Sequence, residues 1–253
     1  ADNANTGSSA GGSSTNANRE ASARGDAALK YGYGQTVTTE QDNSYVTEVN
    51  GTLAGLSGQN QNLISGYLNS RSVEDKTFAG IGNNGSATAA AGDVTVKATE
   101  KTTLDSTAGA AAAGGSASGG ISLNLVILNG TAEARLGGNV QAGAGNVRVI
   151  AENILNVDNM MAIGGGAAGS ASMAGTITIL KAGEQAKAYI APNAVVAAGG
   201  NVIILANSSQ KILVVNGSVS GAGAASLGVA TNVLKIANKT QAYIGDGAQV
   251  TAN

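Results

Sequence analysis

Acid–base and metal chemistry needs side chains that hold protons or lone pairs at defined spacings, and this sequence offers few. It contains no histidine and no cysteine. That removes Ser-His-Asp and thiol nucleophiles, cysteine zinc sites, iron–sulfur clusters and any disulfide framework. The remaining candidates are carboxylates. Asp93, Glu100 and Asp105 lie close together in the chain, and paired carboxylates on one face would suit hydrolysis of a glycosidic bond. In the later copies of the repeat described below, however, Asn153 and Ser208 stand where Glu100 stands. No acidic ladder forms, and these groups read as solvated surface charges. Asp246, between Gly245 and Gly247, reads as a turn residue. The glycine-rich runs recur in every copy and do not make the single strand-to-helix turn that cradles a phosphate. Thr36-Val37-Thr38 and Thr176-Ile177-Thr178 do not recur in register, as an ice-binding threonine column would. The expectation is no catalytic residue, no cofactor and no metal.

Composition narrows the partners. The formal net charge is −2, with 14 basic and 16 acidic residues among 253. A basic surface for phosphate neutralisation is missing, so nucleic acid is not expected. No apolar run approaches the roughly 20 residues of a membrane-spanning helix, and membrane insertion is not expected either. The chain starts Ala1-Asp2-Asn3-Ala4-Asn5. A polar, small-residue start is what signal-peptidase cleavage leaves, as would any other cut. With cysteine absent, the expected location is secreted, at a bacterial cell surface.

What positions these residues is an internal repeat. Gly92-Asp93-Val94-Thr95-Val96, Gly145-Asn146-Val147-Arg148-Val149 and Gly200-Asn201-Val202-Ile203-Ile204 open three segments alike. Twelve residues after each glycine come Leu104, Val157 and Ile212. A run of tiny residues follows (Gly114–Gly120, Ala167–Ser172, Ala222–Ser226), then an aliphatic stretch. Each copy closes on Ala132-Glu133-Ala134-Arg135-Leu136, Ala186-Lys187-Ala188-Tyr189-Ile190 or Thr240-Gln241-Ala242-Tyr243-Ile244. A diverged first copy is counted from Gly34. It puts Val46 at the twelfth position, matches Val49-Asn50-Gly51 to Val215-Asn216-Gly217, and ends Thr77-Phe78-Ala79-Gly80-Ile81. The copies are 34–91, 92–144, 145–199 and 200–253. Residues 1–33 form a polar, low-complexity N-terminal extension or cap, with a short helix conceivable over Arg19–Lys30.

The pattern within a copy alternates with period two: Val94, Val96 and Ala98 share one face, Thr95 and Lys97 the other. That is the signature of half-buried strands. A 54-residue unit of this kind cannot bury its own core, so copies must stack. The fold expected is all-β, a parallel β-helix (β-solenoid) of about four repeats. Val94, Val147 and Val202 should form one column, and Asp93, Asn146 and Asn201 a turn ladder. About six short strands per copy suggest two rungs of about 27 residues or three of about 18. Four copies would then span roughly 40–60 Å at the spacing of strands in a sheet. The tiny-residue runs, with no bulky side chain on either face, predict a flattened corner where two sheets approach closely, or alternatively a subunit–subunit contact.

The G-N-V-x-V-x-A openings, A-A-G-x-A-S runs and A-Y-I-G-x-x-A-x-V closings resemble the repeats of filamentous-haemagglutinin and leukotoxin-type adhesins, secreted by bacterial type V systems. The resemblance covers about 34–253 and implies a right-handed parallel β-helix at the cell surface. The lack of a clustered catalytic site, and a last copy that ends near a repeat boundary with no capping segment, point to a non-enzymatic structural protein, a filament subunit stacked head to tail on itself. The alternative is an adhesin module or stalk of a larger secreted protein that engages a host or neighbouring-cell surface, and more remotely a polysaccharide-acting β-helix enzyme. The subunit interface expected for stacking joins Val250, Thr251, Ala252 and Asn253 of the last copy to Val37 and Val46 of the first.

Overall fold

The computed structural model of the chain describes strand backbone at residues 28–29, 33–49, 53–54 and 63–69, and the chain with its side chains from Ser70 to Asn253. Among the described residues fourteen strands follow one another, and there is no helix. They are β1 (Ala28–Leu29), β2 (Tyr33–Val49), β3 (Leu53–Ala54), β4 (Leu63–Ile81), β5 (Ser86–Ala89), β6 (Ala91–Gly114), β7 (Ala117–Leu136), β8 (Asn139–Ala142), β9 (Val147–Ala168), β10 (Ala171–Ile190), β11 (Val195–Ala198), β12 (Val202–Ala222), β13 (Ala225–Ile244) and β14 (Gln249–Ala252). All pairings are parallel: strands of one copy pair with their equivalents in the next, β2 and β3 both lie along β6, and β1, ahead of the first copy, pairs with β5. Three sheets result: β2-β6-β9-β12, β4-β7-β10-β13 and the short β1-β5-β8-β11-β14. The chain is a parallel β-solenoid.

Each copy makes one rung, not two or three. A rung holds two long strands, of 24 and 20 residues in β6 and β7, and one of four residues in β8. Glycines that look like strand breaks in sequence, such as Gly130 and Gly164, lie inside strands. In a stacked parallel sheet the rungs above and below supply the backbone partners, so a missing side chain does not interrupt the ladder. Four rungs at about 4.8 Å therefore stand about 19 Å tall, well short of 40–60 Å.

The columns read from the repeat are present. Val94, Val147 and Val202 align, as do Leu104, Val157 and Ile212. Val94, Val96, Leu104, Val147, Val149 and Val157 are fully buried, while Val202, Ile204 and Ile212, on the end rung, are half-buried. Lys97, Arg148 and Lys187 face outward half-exposed, and Lys211 is exposed. The first copy departs from the count. Gln35 pairs with Val94 after a register shift, so Tyr45 stands opposite Leu104 and Val46 opposite Asp105. Val49 pairs with Ala108, which places it in the column of Ala162 and Asn216, one position from the expected match to Val215. Ala28–Leu29 are a strand paired with Ser86–Ala87, where a helix was conceivable; Arg19–Ala27 lie outside the described residues.

A rung has a thick half and a thin arm. In the thick half the short sheet props the long sheets apart around Ile81, Val96, Leu136, Val140, Val149 and Ile190. Farther out the two long sheets face each other directly around Leu104, Leu128, Leu155, Met160 and Leu180. In the arm, formed by the tiny-residue runs, the sheets close to backbone contact. A Cβ on Gly164 would sit 2.6 Å from the Gly175 carbonyl oxygen and 3.1 Å from that of Gly120. Only glycine fits there, and the runs are the flattened edge their composition predicts.

Candidate functional site

Carboxylates are the only acid–base groups besides tyrosine and lysine, and the fold gathers three of them in the interior. Period two carries the inward face of β6 from Val94, Val96 and Ala98 on to Glu100, which is fully buried. Reading Glu100 as a solvated charge was therefore wrong: the alternation that buries the valines buries it too. Asp93 and Asp105 do lie on the outward face, half-buried and exposed. Below Glu100 in its column stands Asn153, with Ser208 next. Facing them, Asp75, Gly130 and Glu184 form one column of the opposite sheet, with Asp75 and Glu184 also buried. Glu100 had a sequence signal, its parity. Asp75 and Glu184 had none without the pairing of the two sheets.

The seam is differently satisfied at its members. Glu100 accepts hydrogen bonds from the hydroxyl of Thr77 and, at 3.4 Å, from that of Thr102. Asn153 donates to the Gln185 carbonyl at 3.4 Å. Glu184 is 2% exposed, and no donor meets either carboxyl oxygen in good hydrogen-bond geometry, the Asn153 side-chain amide being the polar group set beside it. Its side chain bends into the space that the absent side chain of Gly130 leaves open. Burial pushes its carboxyl up to about 7, the neighbouring Asn153 amide opposes this, and the Asp75 charge adds to it. Around the seam, the apolar clusters on either side close it from solvent. A polysaccharide cannot reach these groups in this conformation. No cluster of three or more metal-ligating side chains with suitable geometry occurs among the described residues.

A second polar seam runs along the arm. Asn124 donates to the carbonyls of Ser106 and Met161 at 3.2 and 3.1 Å and accepts from the Ser106 hydroxyl at 3.1 Å. Ser122 and Ser118 donate to the Ile163 and Ala167 carbonyls at 3.0 and 2.8 Å. One rung farther, Thr178 donates to Asn216, which donates to the Thr231 carbonyl at 2.7 Å. These short side chains cross from one sheet to the other and use the free lone pair of a ladder carbonyl. They fasten the arm where no bulky apolar residue fits.

Outside, two ladders mark the rungs. Asp93 accepts from the backbone and side-chain amides of Asn146, at 2.7 and 3.0 Å, and Asn146 accepts from the Asn201 amide at 2.9 Å. Arg148 closes on Asp93 as an ion pair. The bond from the Asn146 backbone amide is the largest influence holding the Asp93 carboxyl below its usual range. Tyr189 and Tyr243 stack with centroids 5.1 Å apart, and the Lys187 ammonium lies 4.4 Å from the Tyr189 ring centre. Tyr189 also donates to Glu133 at 2.9 Å. Asp246 lies in the turn before β14, its carbonyl accepting from the Asn193 amide at 3.1 Å.

No protein family, no curated protein and no solved structure matches this chain. The likeness to secreted adhesin repeats stands on the residue pattern alone.

The interface residues expected for stacking fall at opposite ends of the stack. Val250, Thr251 and Ala252 belong to β14 and Asn253 follows it, with Val250 half-buried and the others exposed. Val37 and Val46 lie on β2, opposite Val96 and Asp105; their side chains are outside the described residues. What the sequence count missed is that the end face is much larger than β14. Leu234, Ile236 and Ile244, inward-facing on β13, are 45%, 46% and 51% exposed, whereas their column partners Leu180, Ala182 and Ile190 are buried.

Proposed function

We propose that this chain is a non-enzymatic structural protein, a β-solenoid subunit of an extracellular bacterial surface filament that lengthens by stacking copies end to end. The observation that carries it is the open β12–β13–β14 rung. Along two long strands it presents unpaired backbone N–H and C=O groups, a template for another strand. Inside that edge it presents Leu234, Ile236 and Ile244, which every internal rung buries. The occupant that fits is a rung of the same kind: its strands match in length and parallel sense, and its columns continue the interior. The first rung of a second copy, led by β2 with Val37 and Val46, supplies one. Such a contact uses different surfaces on the two copies and propagates as an open filament.

The same edge also favours a second reading. Further rungs of a longer polypeptide would cover it equally well, as in a stalk or adhesin module. Sedimentation of the 253-residue chain over rising concentration separates the two. Growing polymers, lost on Leu234→Lys/Ile236→Lys substitution, support the filament. A chain that stays monomeric supports the module.

A further inference from the structure

Charge is absent from the arm of every rung. Residues 49–70, 106–132, 159–180 and 212–234 contain no Asp, Glu, Lys or Arg, so all 14 basic and 16 acidic residues lie elsewhere. In register these windows overlap from Ala108 to Leu125 and their column partners, over the last residues of β2, β6, β9 and β12 and the first of β4, β7, β10 and β13. The arm is also inverted in polarity. Its interior carries Ser118, Ser122, Asn124, Thr176 and Thr178, all buried, and its outer face on β7 and β10 carries Ile121, Leu123, Leu125, Met173, Ile177 and Ile179. Of the five large apolar residues exposed on internal rungs, Ile121, Ile163, Met173 and Ile177 belong to the arm and only Val195 does not.

We infer that this outer face of the β4-β7-β10-β13 sheet, over the arm, is a lateral interface that packs against the same face of a second copy. Three observations favour a copy of this chain. The face is uncharged in all four rungs, so bringing two identical surfaces together meets no like-charge repulsion, as it would over the charged thick half. Its size suffices: the nine residues from Ala117 to Leu125, short of the columns that carry Arg71, Lys181 and Lys235, span about 30 Å and four rungs about 19 Å, about 570 Å² per copy and about 1,100 Å² in all, the low end for a specific interface. Finally, face-to-face packing of two apolar sheet surfaces at about 10 Å is an ordinary way for β-sheets to bury such a face. A lipid bilayer is disfavoured, because the open β12–β13 edge would carry unpaired backbone groups into hydrocarbon. A twofold contact of this kind closes on itself, so it joins filaments or subunits side by side and is independent of end-to-end stacking.

The chain has no cysteine, which makes single-cysteine cross-linking direct. Ile121→Cys, Leu125→Cys and Ile177→Cys are oxidised in the full chain, with Gln185→Cys, on the same outer face beyond the arm, as control. Disulfide dimers at one or more arm positions and none at Gln185→Cys are expected. They should persist when Leu234→Lys/Ile236→Lys blocks the end rung, which separates this interface from the stacking contact. Ile121→Lys/Ile177→Lys should weaken lateral association at least 100-fold in sedimentation while leaving the circular dichroism unchanged. No arm cross-link, an equal yield at Gln185→Cys, or an unchanged association constant in the double-lysine variant would overturn the inference. So would flotation of the chain with phosphatidylcholine vesicles that the double-lysine variant abolishes, which would assign the face to lipid.

Discussion

Glu184→Gln separates the two protonation states of the buried seam. The folded carboxyl titrates near 7 and the ordinary value is 4.5, a difference worth about 3 kcal/mol at 1.36 kcal/mol per pH unit. The folded state holds this proton more tightly than the unfolded chain, so between pH 4.5 and 7 folding binds protons and stability falls as pH rises. Below pH 4.5 both states are protonated and the group costs nothing electrostatic. Above 7 the full cost of a buried carboxylate beside Asp75 is present. Glutamine keeps the shape and removes the charge. Chemical denaturation of both chains at pH 4.5 and pH 8 should therefore give a difference, variant minus parent, that shifts in favour of the variant by about 3 kcal/mol from the lower to the higher pH. An effect of equal size at both pH values would mean that Glu184 is ionised in the fold or reached by solvent, and the account of the seam would fail.

Three further perturbations probe other layers. Val149→Asp puts an unpaired charge at a fully buried position, between the buried Val96 and the half-buried Ile204, and should cost several kcal/mol; an unchanged urea midpoint would contradict that burial. Gly164→Ala forces a methyl group against two backbone carbonyls and should destabilise by about 1–3 kcal/mol, with faster amide exchange confined to the arm; exchange spread evenly over the rung would count against a locally closed edge. Asp93→Ala removes a half-exposed ladder acceptor and its ion pair with Arg148 and should cost about 1 kcal/mol or less in thermal unfolding; a loss above 3 kcal/mol would show the ladder to be more than a turn clamp.

The fold was legible because its signal is redundant. Three copies of Gly-x-Val-x-Val or Gly-x-Val-x-Ile set the columns, and alternation set which side is inside. Two things escaped. Rung length was misread because Gly130 and Gly164 look like strand breaks, whereas stacked neighbours keep the backbone paired through them. The seam escaped because an inward Glu100 contradicts the expectation that buried faces are apolar, and because Asp75 and Glu184 meet it only through sheet-on-sheet packing that no local pattern encodes. In the first copy a register shift between Tyr33 and Gln35 moved Val46 off the Leu104 column. A count along the sequence cannot register such a shift when the matching residues have diverged. The end face was underestimated for a related reason: sequence shows where β14 lies, but not that the whole inward row of β13 faces the opening.

The most direct test of the central claim, one rung per copy in a solenoid that stacks on its own end, is the axial repeat of assembled material by electron microscopy. Four rungs at about 4.8 Å predict a subunit repeat of about 19 Å along the filament, with the strand spacing as its finer period. A repeat near 40 or 60 Å would contradict the single-rung copy, and a chain that forms no filament at high concentration would contradict end-to-end stacking.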